Sequence, residues 1–207
     1  MSRLILLFSA AVFCAFAQNY KLETIATPAP DLPAAYASVI NSQGYRVNGP
    51  NGAWVEIWFR KTIPTGAKPS DPAITLPLTQ GELIGVLRFP AAGYDRRGQT
   101  IKPGVYTLRY SLQPVDGAHQ GSSPQRDFAL MTPIALDSDP NAMPAFDALI
   151  EQSKKASNSP HPAVLSLETP SGSIFPALTK EGDNDWVLNV QVGDLQLALI
   201  VAGKAQA

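Results

Sequence analysis

Alternating apolar and polar positions dominate this chain, and Ile101–Leu112 shows the pattern most clearly. After the turn formers Pro103-Gly104, residues Tyr106, Leu108, Tyr110 and Leu112 fall on one side of an extended chain, and Val105, Thr107, Arg109 and Ser111 on the other. A period of two with a charge on one face predicts a half-buried strand of an antiparallel sheet. Comparable runs predict strands at Tyr20–Thr27, Glu82–Phe89, Asp127–Thr132 and Ala163–Glu168, and a hairpin over 45–60 turning at Asn48–Gly52. A second hairpin is predicted from Asp185–Val192 and Leu195–Ala202, joined by Gly193-Asp194, a pair suited to mirror-image two-residue turns. Ala34–Ile40 fits either a helical turn or a short strand.

One helix is predicted near 140–156, capped by Asp139, with Pro140 at its first position and Lys154-Lys155 at its end. Met143, Phe146, Leu149 and Ile150 supply its apolar stripe, and Asn158–Pro162 stops it. Nineteen prolines, about double the usual ~5%, punctuate short apolar runs. About eight strands on this spacing predict a mostly β fold, an antiparallel β-sandwich of Ig-like or jelly-roll-like type, with a barrel as the alternative.

The first 17 residues read differently. Arg3, the apolar run Leu4–Phe16 and Ala15-Phe16-Ala17 match a secretory signal cleaved near Ala17. The run is shorter than the roughly 20 residues a spanning helix needs. Residues 18–207 then form one domain, periplasmic or extracellular, with no membrane span. Cys14, the single cysteine, lies inside the signal, so the exported chain has none. Export without disulfides suggests a bacterial source. Loss of Arg3 moves the formal charge from −1 to −2, which offers no footprint for nucleic acid.

No signature of a serine hydrolase elbow, zinc protease, phosphate loop or dinucleotide fold is present, and no cofactor is implied. Trp54, Glu56, Trp58 and Arg60 share one side of a strand if Val55, Ile57 and Phe59 face the core. Two flat indoles interleaved with a carboxylate and a guanidinium suit a glycan or peptide; burial under the helix or the proline-rich loop would make them a second small core. Asp116 and His119 lie three residues apart on a polar loop and are candidate metal ligands, with His161 as a distant third. Zinc requires three or four such ligands, and a polar turn explains the same residues. His119 is also spaced to act as a base on Ser122 or Ser123, with no oxyanion hole in view. Glu181, Asp183 and Asp185 alternate as calcium ligands do, or as a solvated hairpin approach does.

The run Lys102-Pro-Gly-Val-Tyr-Thr-Leu-Arg109 resembles the Pro-Gly-x-Tyr-x-Leu strand of secreted bacterial β-sandwich domains, among them transthyretin-like and carboxypeptidase-regulatory-like modules. The resemblance implies the fold class and export, and transfers no catalytic residues. Taken together, the chain reads as an exported non-catalytic β protein binding a glycan, a peptide or an envelope partner. A metal-binding protein or metal-dependent hydrolase using the His119 loop is one alternative, and a structural subunit pairing through a sheet edge is another.

Overall fold

A computed structural model describes residues 19–114 and 125–204. The chain order is β1 (Lys21–Ile25), α1 (Ala34–Val39), β2 (Gly44–Gly49), β3 (Gly52–Phe59), β4 (Leu83–Phe89), β5 (Gly93–Tyr94), β6 (Thr100–Ile101), β7 (Gly104–Leu112) and β8 (Asp127–Pro133). A short 3-10 turn, Ile134–Leu136, precedes α2 (Phe146–Ser157), β9 (Val164–Glu168), β10 (Ala177–Glu181), β11 (Asp185–Val192) and β12 (Leu195–Ala202). The protein is mostly β, with two α-helices among the described residues.

Ten strands form one continuous antiparallel sheet in the order β1-β2-β3-β4-β7-β8-β9-β12-β11-β10. Its two ends come back within reach of each other, so the sheet is nearly barrel-shaped and closer to the barrel alternative than to two separate sheets. An even number of alternating strands leaves β1 and β10 antiparallel across the seam. No backbone ladder joins them.

The interior is filled from alternate positions: Val55, Ile57 and Phe59 of β3, Tyr106, Leu108 and Tyr110 of β7, and Leu188 and Val190 of β11 belong to one buried cluster. Three smaller clusters lie apart from it, one of them Val187, Ala198 and Ile200 on the β11–β12 hairpin. Helix α1 covers Ile25, Trp58, Leu83 and Val86 with Tyr36, and α2 lays Leu149, Phe146 and Ile150 over Phe128 and Leu130. The β11–β12 hairpin forms as predicted, with Gly193 at φ +59 supplying the left-handed conformation its turn requires.

Three expectations change. The other side of β7 is not solvated, because Thr107, Arg109 and Ser111 are as buried as the apolar side. The segment after β8 crosses over this face, and Asp137 and the Asp139 and Ala142 carbonyls receive the Arg109 guanidinium. Helix α2 starts at Phe146 rather than near 140. Pro144 biases Met143 away from helical backbone; Met143 is exposed and Asp139 instead closes a local turn, accepting from the Asn141 N–H at 2.9 Å. Asn158 does end the helix, in the left-handed conformation at φ 50. Finally, β10 forms at a stretch with no strand pattern of its own, recruited by pairing with β11. No helix among the described residues is long and apolar enough to cross a membrane.

Candidate functional site

The four residues expected to share one ligand face do not do so. Val47 pairs with Val55 but Asn48 pairs with Ala53, so Trp54 is the extra residue of a bulge. The bulge breaks the alternation, and Trp54 packs with the interior cluster at one end of the barrel. Its indole N–H donates to the Val201 carbonyl at 2.8 Å. Trp58 keeps the outer side but is only 1% exposed, sealed beneath α1 and donating to the Thr27 carbonyl at 2.8 Å. A Cβ on Gly44 would collide with its ring. Glu56 is buried between Arg46 at 2.8 Å and Arg88 at 3.0 Å. Arg60 reaches Asn141 at 2.9 Å and Glu82 at 3.4 Å. Trp58 is thus a core residue, Trp54 is half-buried against the interior cluster, and the charges are paired with one another or with neighbours, so the four side chains do not present one common face.

Asp116, His119, Ser122 and Ser123 lie outside the described residues. His161 is exposed in the turn after α2, its backbone tied to Ser157 and Ser159. Among the described residues no group of three or more His, Cys, Asp and Glu is placed to hold a metal ion. The acidic run 181–185 is split three ways. Asp185 is gripped by Arg96 at 2.8 and 3.1 Å, Glu181 accepts from Ser171 at 3.0 Å, and Asp183 is exposed. Glu168 on β9 has a neighbouring carboxyl in Glu181; burial first, and the Glu181 charge and hydrogen bond next, push it up to about 7.

Trp54 nevertheless leads to a site. Its ring lies 4.6 Å from Tyr94, 5.7 Å from Phe89 and 6.4 Å from Tyr20, and Tyr20 lies 5.6 Å from Trp186. These edge-on and tilted ring contacts close one end of the barrel, and Tyr20 and Tyr94 among them line a cleft of about 430 Å³. Tyr20 and Tyr94 line it together with Thr100, Asn184 and Lys204, and Gly98 and Gly203 open its walls. The volume falls in the ~300–1,000 Å³ range of small-ligand sites.

Each wall has a local cause. Tyr94 and Thr100 are register partners of the β5–β6 hairpin, whose turn is organised by buried Asp95, accepting from the backbone of Arg97 and Gln99 at 3.0 Å each. Arg96 on the same turn reaches across to Asp185 at the start of β11, and Arg97 donates to the Pro162 carbonyl at 2.6 Å. The hairpin is therefore bolted at two points. Gly203 is required where it stands, since a Cβ there would collide with the Asp185 carboxylate. Tyr20 comes from the entry to β1 and Asn184 from the β10–β11 turn, so the cleft straddles the end of the seam. Burial, and then the hydroxyl of Tyr94 hydrogen-bonded to it, push the Tyr20 phenol above its ordinary range, so it remains protonated.

Tyr20, Tyr94, Thr100, Asn184 and Lys204 carried no functional signal in the sequence. They come from four stretches, none with a motif, and only the Trp54 neighbourhood pointed in this direction. Chemically, the described lining offers ring edges and faces, hydroxyls, an amide and one ammonium, groups that can hold a polar ligand. No protein family, curated protein or solved structure matches the chain.

Proposed function

We propose that this chain is an exported, non-catalytic binding protein of the periplasm or extracellular space whose ligand is a glycan, taken up in the barrel-end cleft. The observation that carries the reading is the cleft lining: Tyr20 and Tyr94, held edge-on and tilted against Trp54, border it together with Thr100, Asn184 and Lys204. Sugar rings combine apolar C–H faces with equatorial hydroxyls, and aromatic faces bordered by fixed hydrogen-bonding groups match both. The signal pattern of residues 1–17 supports export. In this reading the curled sheet is a sandwich drawn into a barrel, with the strands as a rigid frame. Isothermal titration against a panel of soluble saccharides tests the proposal. Tyr94→Ala should weaken binding by about tenfold, the scale of one lost ring contact; unchanged affinity in that variant places the ligand elsewhere.

A second reading follows from the seam. Strands β1 and β10 each carry one unpaired edge, and exposed edges accept partner strands. A structural subunit of the cell envelope would pair there. A strand inserted between them would run antiparallel to one edge and parallel to the other, so a partner would favour one edge. Disulfide trapping of a partner by cysteines placed along β1 or β10 distinguishes this from glycan binding.

A further inference from the structure

The cleft's charge is one-sided. Lys204 is the one ionised side chain among its described lining residues, and no carboxylate lines it. Nearby acids are directed elsewhere. Asp185 backs onto Gly203 but has both oxygens engaged by Arg96. Glu181 turns to Ser171 and Thr179 on the outer sheet face, and Asp183 is exposed in the turn beside Asn184 without lining the cleft. A cation at the rim of an aromatic, hydroxyl-bearing cleft attracts a ligand with a matching anion.

Resting on the glycan reading, we infer that the preferred ligand is an acidic saccharide: a pyranose whose ring lies against Tyr94, above Trp54, and whose carboxylate meets the Lys204 ammonium. The Tyr20 hydroxyl, Thr100 and Asn184 then address the ring hydroxyls. The ammonium supplies selectivity, because a neutral sugar of the same shape offers it only hydroxyls and gains less from it than a carboxylate does. The ring stack supplies affinity common to both classes. The ligand bridges β1's entry and the β10–β11 turn, so its binding also holds the seam shut.

Calorimetric titration of the purified protein with oligomers of galacturonic or glucuronic acid, and of galactose or glucose, tests the inference. The acidic oligomers should bind about tenfold more tightly than the neutral ones, the scale of one charge-assisted hydrogen bond, and the preference should shrink as salt rises. Lys204→Gln should abolish the preference, bringing acidic oligomers down to the affinity of neutral ones; Lys204→Arg should retain it. Tyr94→Ala should weaken both classes. Equal binding of acidic and neutral oligomers, both lost in Tyr94→Ala, overturns the inference and leaves the glycan reading standing. No binding of either class overturns both.

Discussion

The Arg109 guanidinium grips the Asp137 carboxylate through Nε at 2.6 Å and Nη2 at 2.9 Å, and Arg109 is completely buried. Its remaining N–H groups donate to the Gly81, Ala142 and Asp139 carbonyls, and Thr107 donates to Asp137 at 2.7 Å. One side chain thus ties β7 to the loop before β4 and to the whole 137–142 crossing. Such a pair stands in the interior only because every polar atom finds a partner.

Removing one partner strands the other. Arg109→Met or Asp137→Leu should destabilise the fold by about 3–5 kcal/mol, the range for breaking a buried pair. Arg109→Met combined with Asp137→Leu should cost less than the two singles added together. Urea unfolding of the double-mutant cycle measures the difference.

The same pair has an acid limit. Burial pushes Asp137 up, but hydrogen bonds from Arg109 and Thr107 and the Arg109 charge outweigh it and hold the carboxyl below its ordinary value. A depressed carboxylate contributes stability above its unfolded value and loses it as pH falls through the folded one. Unfolding free energy should fall below about pH 4, and Asp137→Asn should flatten that acid limb. An unaltered limb in the variant would assign acid sensitivity to other groups.

Glu168 works in the opposite direction. Its folded value is raised from 4.5 to about 7 by burial and then by Glu181. Its contribution is fully present below pH 4.5 and is lost as pH rises through about 7. Glu168→Gln should therefore raise Tm more at pH 8 than at pH 4.5. Thermal scans at the two values check this; equal shifts would mean that the two carboxyls do not share a proton in solution.

Trp58 is read here as core. Trp58→Ala should cost about 3–5 kcal/mol, as large aromatic truncations do, while leaving saccharide affinity of the folded variant intact. Chemical unfolding combined with titration separates the two effects. Loss of affinity without loss of stability would return Trp58 to the ligand site.

Buried Asp127 accepts from the backbone of Thr75 and Leu76 at 2.7 and 3.1 Å and from the Tyr110 hydroxyl at 2.7 Å. The Thr75 hydroxyl donates to it as well, at 3.1 Å, so Asp127→Ala leaves four donors without their partner, each worth roughly 1–3 kcal/mol if it stays dry. The proline-rich 61–82 connection should then detach locally. Faster cleavage within it under limited proteolysis is the expected signature.

Much of this architecture was legible before any tertiary contact was known. The alternation of Tyr106, Leu108 and Tyr110, the apolar runs around Gly193-Asp194 and the stop at Asn158 each describe a short stretch of backbone, and each stands where it was expected. Local pattern reports local geometry, since a period of two requires only an extended chain between unlike surroundings.

What covers the second face is a different matter. Arg109 looked solvated because nothing within β7 can neutralise it; its partner arrives 28 residues later. Trp54 and Trp58 looked equivalent because a bulge is written in the pairing of β2 with β3, not in β3 alone. The cleft was invisible for the same reason, its lining being collected from four separated stretches. By itself the sequence determined most of the longer strands, the Gly193-Asp194 turn and the apolar face that each of those strands turns inward. The tertiary structure alone decided which faces were covered, how far the sheet closed and where a ligand could enter, because burial and charge compensation arise between segments that no local period connects.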